Sequence, residues 1–158
     1  IENKTKFDRH IVLEPLLEDL FACNVFRHIE NDYGQERIYM IPSWVEESVF
    51  DLGSDGENAE LIITCIPKCP PDTYLDEYQN VHCNVFFSAK ELLEKMDDTT
   101  VNVQICNGVS LNINSEDLFL RKEQKMVFRG KGIPKANYQD VMEIQKFSDV
   151  ILHVYLYI

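Results

Sequence analysis

Met126-Val127-Phe128-Arg129-Gly130-Lys131-Gly132-Ile133-Pro134-Lys135 is the stretch on which the fold of this chain turns. Its apolar start has strand character, Gly130 and Gly132 are both free to take φ > 0, and Pro134 blocks regular continuation. A strand is therefore expected to end here in a fixed, tight loop. A phosphate-cradling loop would need more glycine, a Lys-Ser or Lys-Thr pair and a helix straight after it. Ile133-Pro134-Lys135 supplies none of these, so the loop reads as structural punctuation.

Working outward, the residues before and after this loop alternate as strands do. Asp149-Val150-Ile151-Leu152-His153-Val154-Tyr155-Leu156 closes the chain as a strand. Upstream, Val101, Val103 and Ile105 alternate, Asn107-Gly108 is a strong two-residue hairpin signal, and Val109, Leu111 and Ile113 alternate on the way back. Ser88-Ala89-Lys90-Glu91 is a Ser-x-x-Glu capping box. It opens a short helix through Leu92, Leu93 and Met96. The strand before it is Asn80 to Phe87, with Val81, Cys83, Val85 and Phe87 facing inward.

The first half repeats this plan. After a polar stretch, residues 1 to 6, that reads as a frayed end, a strand runs from Phe7 through Ile11 and Leu13 until Pro15 closes it. Leu16, Leu17, Leu20 and Phe21 then share one face of a short helix. Val25 to Ile29 and Arg37 to Pro42 pair across the Asn31-Asp32-Tyr33-Gly34 turn. Ser43 to Gly56 reads as an acidic, irregular connection, and Glu60 to Ile66 as a strongly apolar strand. Glu18-Asp19-Leu20-Phe21 answers Lys90-Glu91-Leu92-Leu93, and Glu60-Leu61-Ile62-Ile63 answers Asp149-Val150-Ile151-Leu152.

The chain thus reads as an internal duplication, mainly β, with two tandem small β-sandwich domains, each with one short helix. Cys69-Pro70-Pro71 stiffens an extended link, which sets the expected domains at residues 1–67 and 68–158. Units of this size bury only about 60% of their unfolded surface, so each core is small.

Composition narrows the function. The 158 residues are 45% hydrophobic, and 15 Lys and Arg against 27 Asp and Glu give a net charge of -12. That charge repels a nucleic acid duplex or an anionic membrane, so neither is expected as a partner. No run of 18 apolar residues and no signal-peptide pattern occurs. The five cysteines, Cys23, Cys65, Cys69, Cys83 and Cys106, lack disulfide-scaffold spacing, which points to reduced thiols and a cytoplasmic location. The sequence opens at Ile1 rather than at a methionine, as an excised fragment would.

Catalysis and metal binding find no support in the pattern. Cys65, Cys69, His82 and Cys83 have the residue types of a zinc set, but adjacent His82 and Cys83 point to opposite faces of a strand. No cysteine is tied by sequence to a base and an anion-stabilising pocket, and core thiols are the plainer reading. Asp97-Asp98 and Glu46-Glu47 fall in polar connections, as solvated surface. The expectation is a non-enzyme with no catalytic residue, no metal and no cofactor.

Arg129-Gly130-Lys131-Gly132-Ile133-Pro134 after an apolar strand resembles the signature of the second C-terminal β-domain of DnaJ-type (forty-kilodalton heat-shock) co-chaperones. Leu17-Glu18-Asp19-Leu20-Phe21 is similar to that family's first-domain helix, and Asn107-Gly108 stands where the family has an Asp-Gly turn. The resemblance covers about Asp8 to Ile158. It implies two tandem β-domains that bind unfolded client polypeptides for delivery to the seventy-kilodalton heat-shock chaperone.

The client, or the acidic Glu-Glu-Val-Asp tail of that chaperone, would lie in a shallow apolar groove of the first domain by strand addition. The matching walls are Ile11 and Leu13 on one strand and Phe26 and His28 on the facing one. A one-residue slip would substitute Val25, Arg27 and Ile29. The family's groove carries several lysines that pair with the acidic tail, whereas this segment offers only Arg27, His28 and the later Arg37 as contacts for it. No His-Pro-Asp triplet and no Cys-x-x-Cys-x-Gly repeat occurs, so J-domain activity and the zinc module are not expected. The first domain's glycine-rich loop is replaced by acidic Ser43 to Asp55, and a homodimer of the family's kind would need a segment outside this sequence. The alternative is a non-catalytic module that binds one folded partner through its acidic surface.

Overall fold

A computed structural model describes residues 8–32, 34–52 and 59–158. The expected frayed start, Phe7, the Tyr33 turn position and the Gly53–Gly56 end of the acidic connection lie outside the described residues. The chain is mainly β and built of several small sheets, with two short helices among the described residues. It divides into two units, residues 1–68 with 136–144, and residues 69–135 with 145–158. The break after Lys68 falls one residue beyond the expected one, and the first unit also takes in a segment from far along the chain.

In the first unit, strand β1 (Arg9–Leu13) leads to helix α1 (Leu17–Phe21) and the hairpin β2 (Val25–Asp32) and β3 (Gln35–Pro42). Strands β4 (Glu47–Asp51) and β5 (Glu60–Cys65) complete it. The sheet order is β1-β5-β4, with β1 parallel to β5 and β4 antiparallel to it. Strand β4 corrects the sequence reading, which left this stretch as irregular connection. Sheet and hairpin share one core, in which buried Ile41, Leu61, Ile63 and Cys65 meet Ile11, Leu13, Phe26 and Phe50.

In the second unit, β6 (Thr73–Leu75) precedes β7 (Val81–Ser88), helix α2 (Ala89–Met96) and the hairpin β8 (Thr100–Cys106) and β9 (Val109–Asn114). Strands β10 (Glu123–Phe128) and β11 (Val150–Tyr157) follow, and the sheet order is β10-β11-β7-β6. Ser88 caps α2 by accepting from the Glu91 amide at 3.1 Å, as its spacing predicts. The hairpin turn uses φ of +77° at Gly108, beside a register shift between Gln104 and Cys106.

The duplication is visible in the pairing itself. Apart from β6, each unit runs strand, helix, hairpin, strand, strand, and the strand that opens this plan, β1 or β7, lies parallel to the one that ends it, β5 or β11. One polar side chain ahead of each first strand closes this pairing. Asp8 Oδ1 accepts from the Glu60 amide and Asn80 Oδ1 from the Asp149 amide, both at 3.0 Å. The registers then make His10 equivalent to His82, Val12 to Asn84 and Thr64 to His153.

The Arg129–Pro134 motif clamps the start of β11. Gly130 takes φ of +69° and donates its amide to Asp149 Oδ1 at 2.9 Å. Gly132 does not take positive φ, against expectation. Its glycine is needed for close approach, because a Cβ there would lie 2.2 Å from Ser148 Oγ. Gly132 donates to the Ser148 carbonyl at 2.8 Å, and the Ile133 amide donates to Ser148 Oγ at 3.0 Å. Ile133 and Pro134 are buried, while Arg129 and Lys131 point to solvent.

Candidate functional site

Alternation along β1 and β2 decides which side chains can meet. On β1, Ile11 and Leu13 turn toward the core, while His10 and Val12 are exposed. Leu13 accepts from the Ile66 amide at 2.8 Å, on the β5 side. In an extended strand successive residues direct their backbone groups to opposite sides, so His10 and Val12 direct theirs to the outer edge. Among the described residues no strand pairs with that edge.

On β2, Phe26, His28 and Glu30 turn inward and Arg27 and Ile29 outward. The slipped register of Val25, Arg27 and Ile29 is thus not the inward one. Leu13 and Phe26 line a cleft of about 370 Å³ together with Arg27, His28 and, from the turn into α1, Glu14, Pro15 and Asp19. Leu13, Phe26, His28 and Arg27 are therefore brought together. Ile11 packs into the core instead, and Arg37 sits across the hairpin from Glu30, off the cleft.

Most charge at the cleft is already committed. Asp19 accepts from the Leu16 amide at 2.9 Å and from Asn24 Nδ2 at 2.8 Å, which fixes the entrance of α1. Glu14 pairs with Lys68 at 2.7 Å, and their hydrogen bond holds the Lys68 ammonium above its ordinary pKa. Glu30, only 8% exposed, takes His28 Nε2 at 2.9 Å and Arg9. Arg27 makes no ion pair among the described residues. Glu14, Pro15 and Asp19 were missed in the sequence because they lie in a connection and not on a strand face.

The corresponding strand of the second unit is covered. Antiparallel β6 pairs with β7, and the Asn84 amide donates to the Asp72 carbonyl at 2.7 Å. The edge that β1 leaves open, β7 has closed.

No disulfide joins the cysteines, and burial raises the pKa of Cys23, Cys65, Cys69 and Cys83, so each of these four stays protonated. Cys83 is buried on β7, whereas the neighbouring His82 faces the other side and bonds Asp76. Among the described residues no helix is long and apolar enough to cross a membrane. No protein-family model matches the chain, and a search of curated proteins found no relative for it.

Proposed function

We propose that the chain is the client-binding part of a DnaJ-type co-chaperone. It takes unfolded, extended polypeptide segments by strand addition and passes them to the seventy-kilodalton heat-shock chaperone. The observation that carries this reading is the outer edge of β1, unpaired among the described residues and bordered by the apolar Leu13 and Phe26 cleft. An added strand would bond the backbone of His10 and Val12 and lay alternate side chains into the cleft. Arg27 is the contact for an acidic tail, and the five cysteines, none of them in a disulfide, fit the cytoplasm in which we place the protein.

Titration of isotope-labelled protein with an unfolded apolar peptide tests this reading. Amide shifts are expected at His10 to Leu13 and Phe26 to His28, little changed by salt. No shift at millimolar peptide, or shifts confined to the second unit, would overturn it. The net charge of -12 favours the other reading, a single folded partner held by the acidic surface, and that partner's affinity would fall steeply with salt.

A further inference from the structure

Outside the cleft, a polar cluster on the second unit's sheet has no part in the reading above. His82 on β7 uses both ring nitrogens. Its Nε2 meets Asp76 Oδ2 at 2.9 Å, and its Nδ1 meets His153 Nε2, on the adjacent β11, at 2.8 Å. The two imidazoles lie within 10° of parallel with centroids 5.1 Å apart. On its other side His82 stacks on Tyr74 of β6, at 4.6 Å and 7°. Asp76 also accepts from the Tyr78 and Asn80 amides, at 2.9 Å each, and so fastens the turn between β6 and β7. One relay therefore joins β11, β7, β6 and its turn.

The segment so fastened is short and under tension. Strand β6 has three residues, and non-glycine Asp72 and Gln79 flank it at φ of +66° and +67°. Left-handed backbone is disfavoured for residues with a Cβ, and release of the segment would relieve it.

We propose that Asp76, His82 and His153 form an acid-operated latch on β6, whose release uncovers the edge of β7. With both imidazoles neutral, His82 Nε2–H donates to Asp76 and His82 Nδ1 accepts from His153 Nε2–H. One added proton is balanced by Asp76. A second sets an N–H on each facing nitrogen, so the 2.8 Å contact becomes repulsive and the rings separate. Burial, then His82 and then Lys125 hold His153 below its ordinary pKa, so this step belongs to acid pH. The charged or titratable groups facing the pair are Asp76 from the β6 turn, Tyr74 from β6, Glu123 and Lys125 from β10 and Tyr155 from β11. Among them only Asp76 is bonded to an imidazole.

Uncovered, β7 would present the backbone of His82 and Asn84 as β1 presents that of His10 and Val12. The latch itself stands without client binding, so failure of one leaves the other to be judged separately. Hydrogen exchange on the whole chain, corrected for the intrinsic pH dependence, reads it directly. From about pH 7.5 to about pH 4.5, protection of the Asn84 amide is expected to fall roughly tenfold or more. The Val81 amide, bonded to Asp149 on the β11 side at 2.9 Å, should keep its protection. Imidazole nitrogen shifts of the same sample should report double protonation over the same range. His153→Phe leaves the Asp76 and His82 bond and should abolish the pH dependence of Asn84. Unchanged Asn84 protection, equal loss at Val81, or the same pH dependence in the variant would each overturn the proposal.

Discussion

The two units share strand order, parallel closure and even the polar residue that caps it, yet they treat one edge in opposite ways. In the second unit β6 lies on β7, locked by imidazoles. In the first, the equivalent His10 is exposed on an edge strand, and Thr64, not histidine, holds the position of His153. The framework is common, and the edge that β6 covers in one copy is, among the described residues, unpaired in the other, which is why we propose it as the client-binding edge. That inference depends on the equivalence, and the equivalence can be attacked.

The heaviest blow is to the helix anchors. Leu20 and Leu92 stand at matching positions and are 1% and 0% exposed. Leu20→Ala and Leu92→Ala should each cost about 3 kcal/mol in urea unfolding. Trp44, the single tryptophan, is buried in the first unit, and its fluorescence should report the Leu20 variant. A large loss at one site and almost none at the other would break the parallel.

Gly132→Ala strikes a feature of the second unit alone. Ser148 Oγ and its carbonyl oxygen lie 2.2 and 2.8 Å from where the new methyl must go, so about 2 kcal/mol should be lost. Gly130→Ala should cost less, about 1 kcal/mol, since only its positive φ is strained and no atom stands within 4 Å of its Cβ position. Asp8→Ala and Asn80→Ala remove the matched caps and should cost about 1 kcal/mol each by the same measurement.

The smallest effect concerns acid. His153 has a folded pKa below its ordinary value, so its contribution is present above about pH 6.5 and is lost as pH falls toward the folded value. For Asp76, burial pushes the carboxyl up, but the hydrogen bond from His82, then the Asn80 and Tyr78 amides and the Asn80 side chain, outweigh it and leave the pKa lowered. Its contribution is present above about pH 3.9 and is lost as pH falls through the folded value. Asp76→Asn should flatten the lower window in an acid stability profile.

Local rules made much of this legible. Alternating side chains gave both hairpins, the Ser88 cap gave α2, and the matched acidic starts of β5 and β11 gave the duplication. They failed where the deciding atom is remote. Gly132 reads as a turn glycine until Ser148 is laid against it. Strand β6 is three residues supported by a neighbour, and β4, Glu-Ser-Val-Phe-Asp, half-buries Ser48 and Phe50 while Val49 is exposed, so apolarity and burial part company. Strand alternation could point to Leu13, Phe26 and His28 but not to Glu14, Pro15 and Asp19, which line the cleft from a connection. His82 and His153 are 71 residues apart, and only the parallel pairing that the duplication implies could have joined them.

That parallel pairing also sets the order in which the chain can fold. The caps that close each unit span 52 residues from Asp8 to Glu60 and 69 from Asn80 to Asp149. Helices and hairpins can form locally, but neither sheet can close until its last strand exists. During synthesis β1 waits with both sides unpaired, and β7, which can take β6 locally, waits with its β11 side unpaired, each for a partner made much later. A protein proposed to shelter such strands in others leaves a strand edge waiting twice in its own folding.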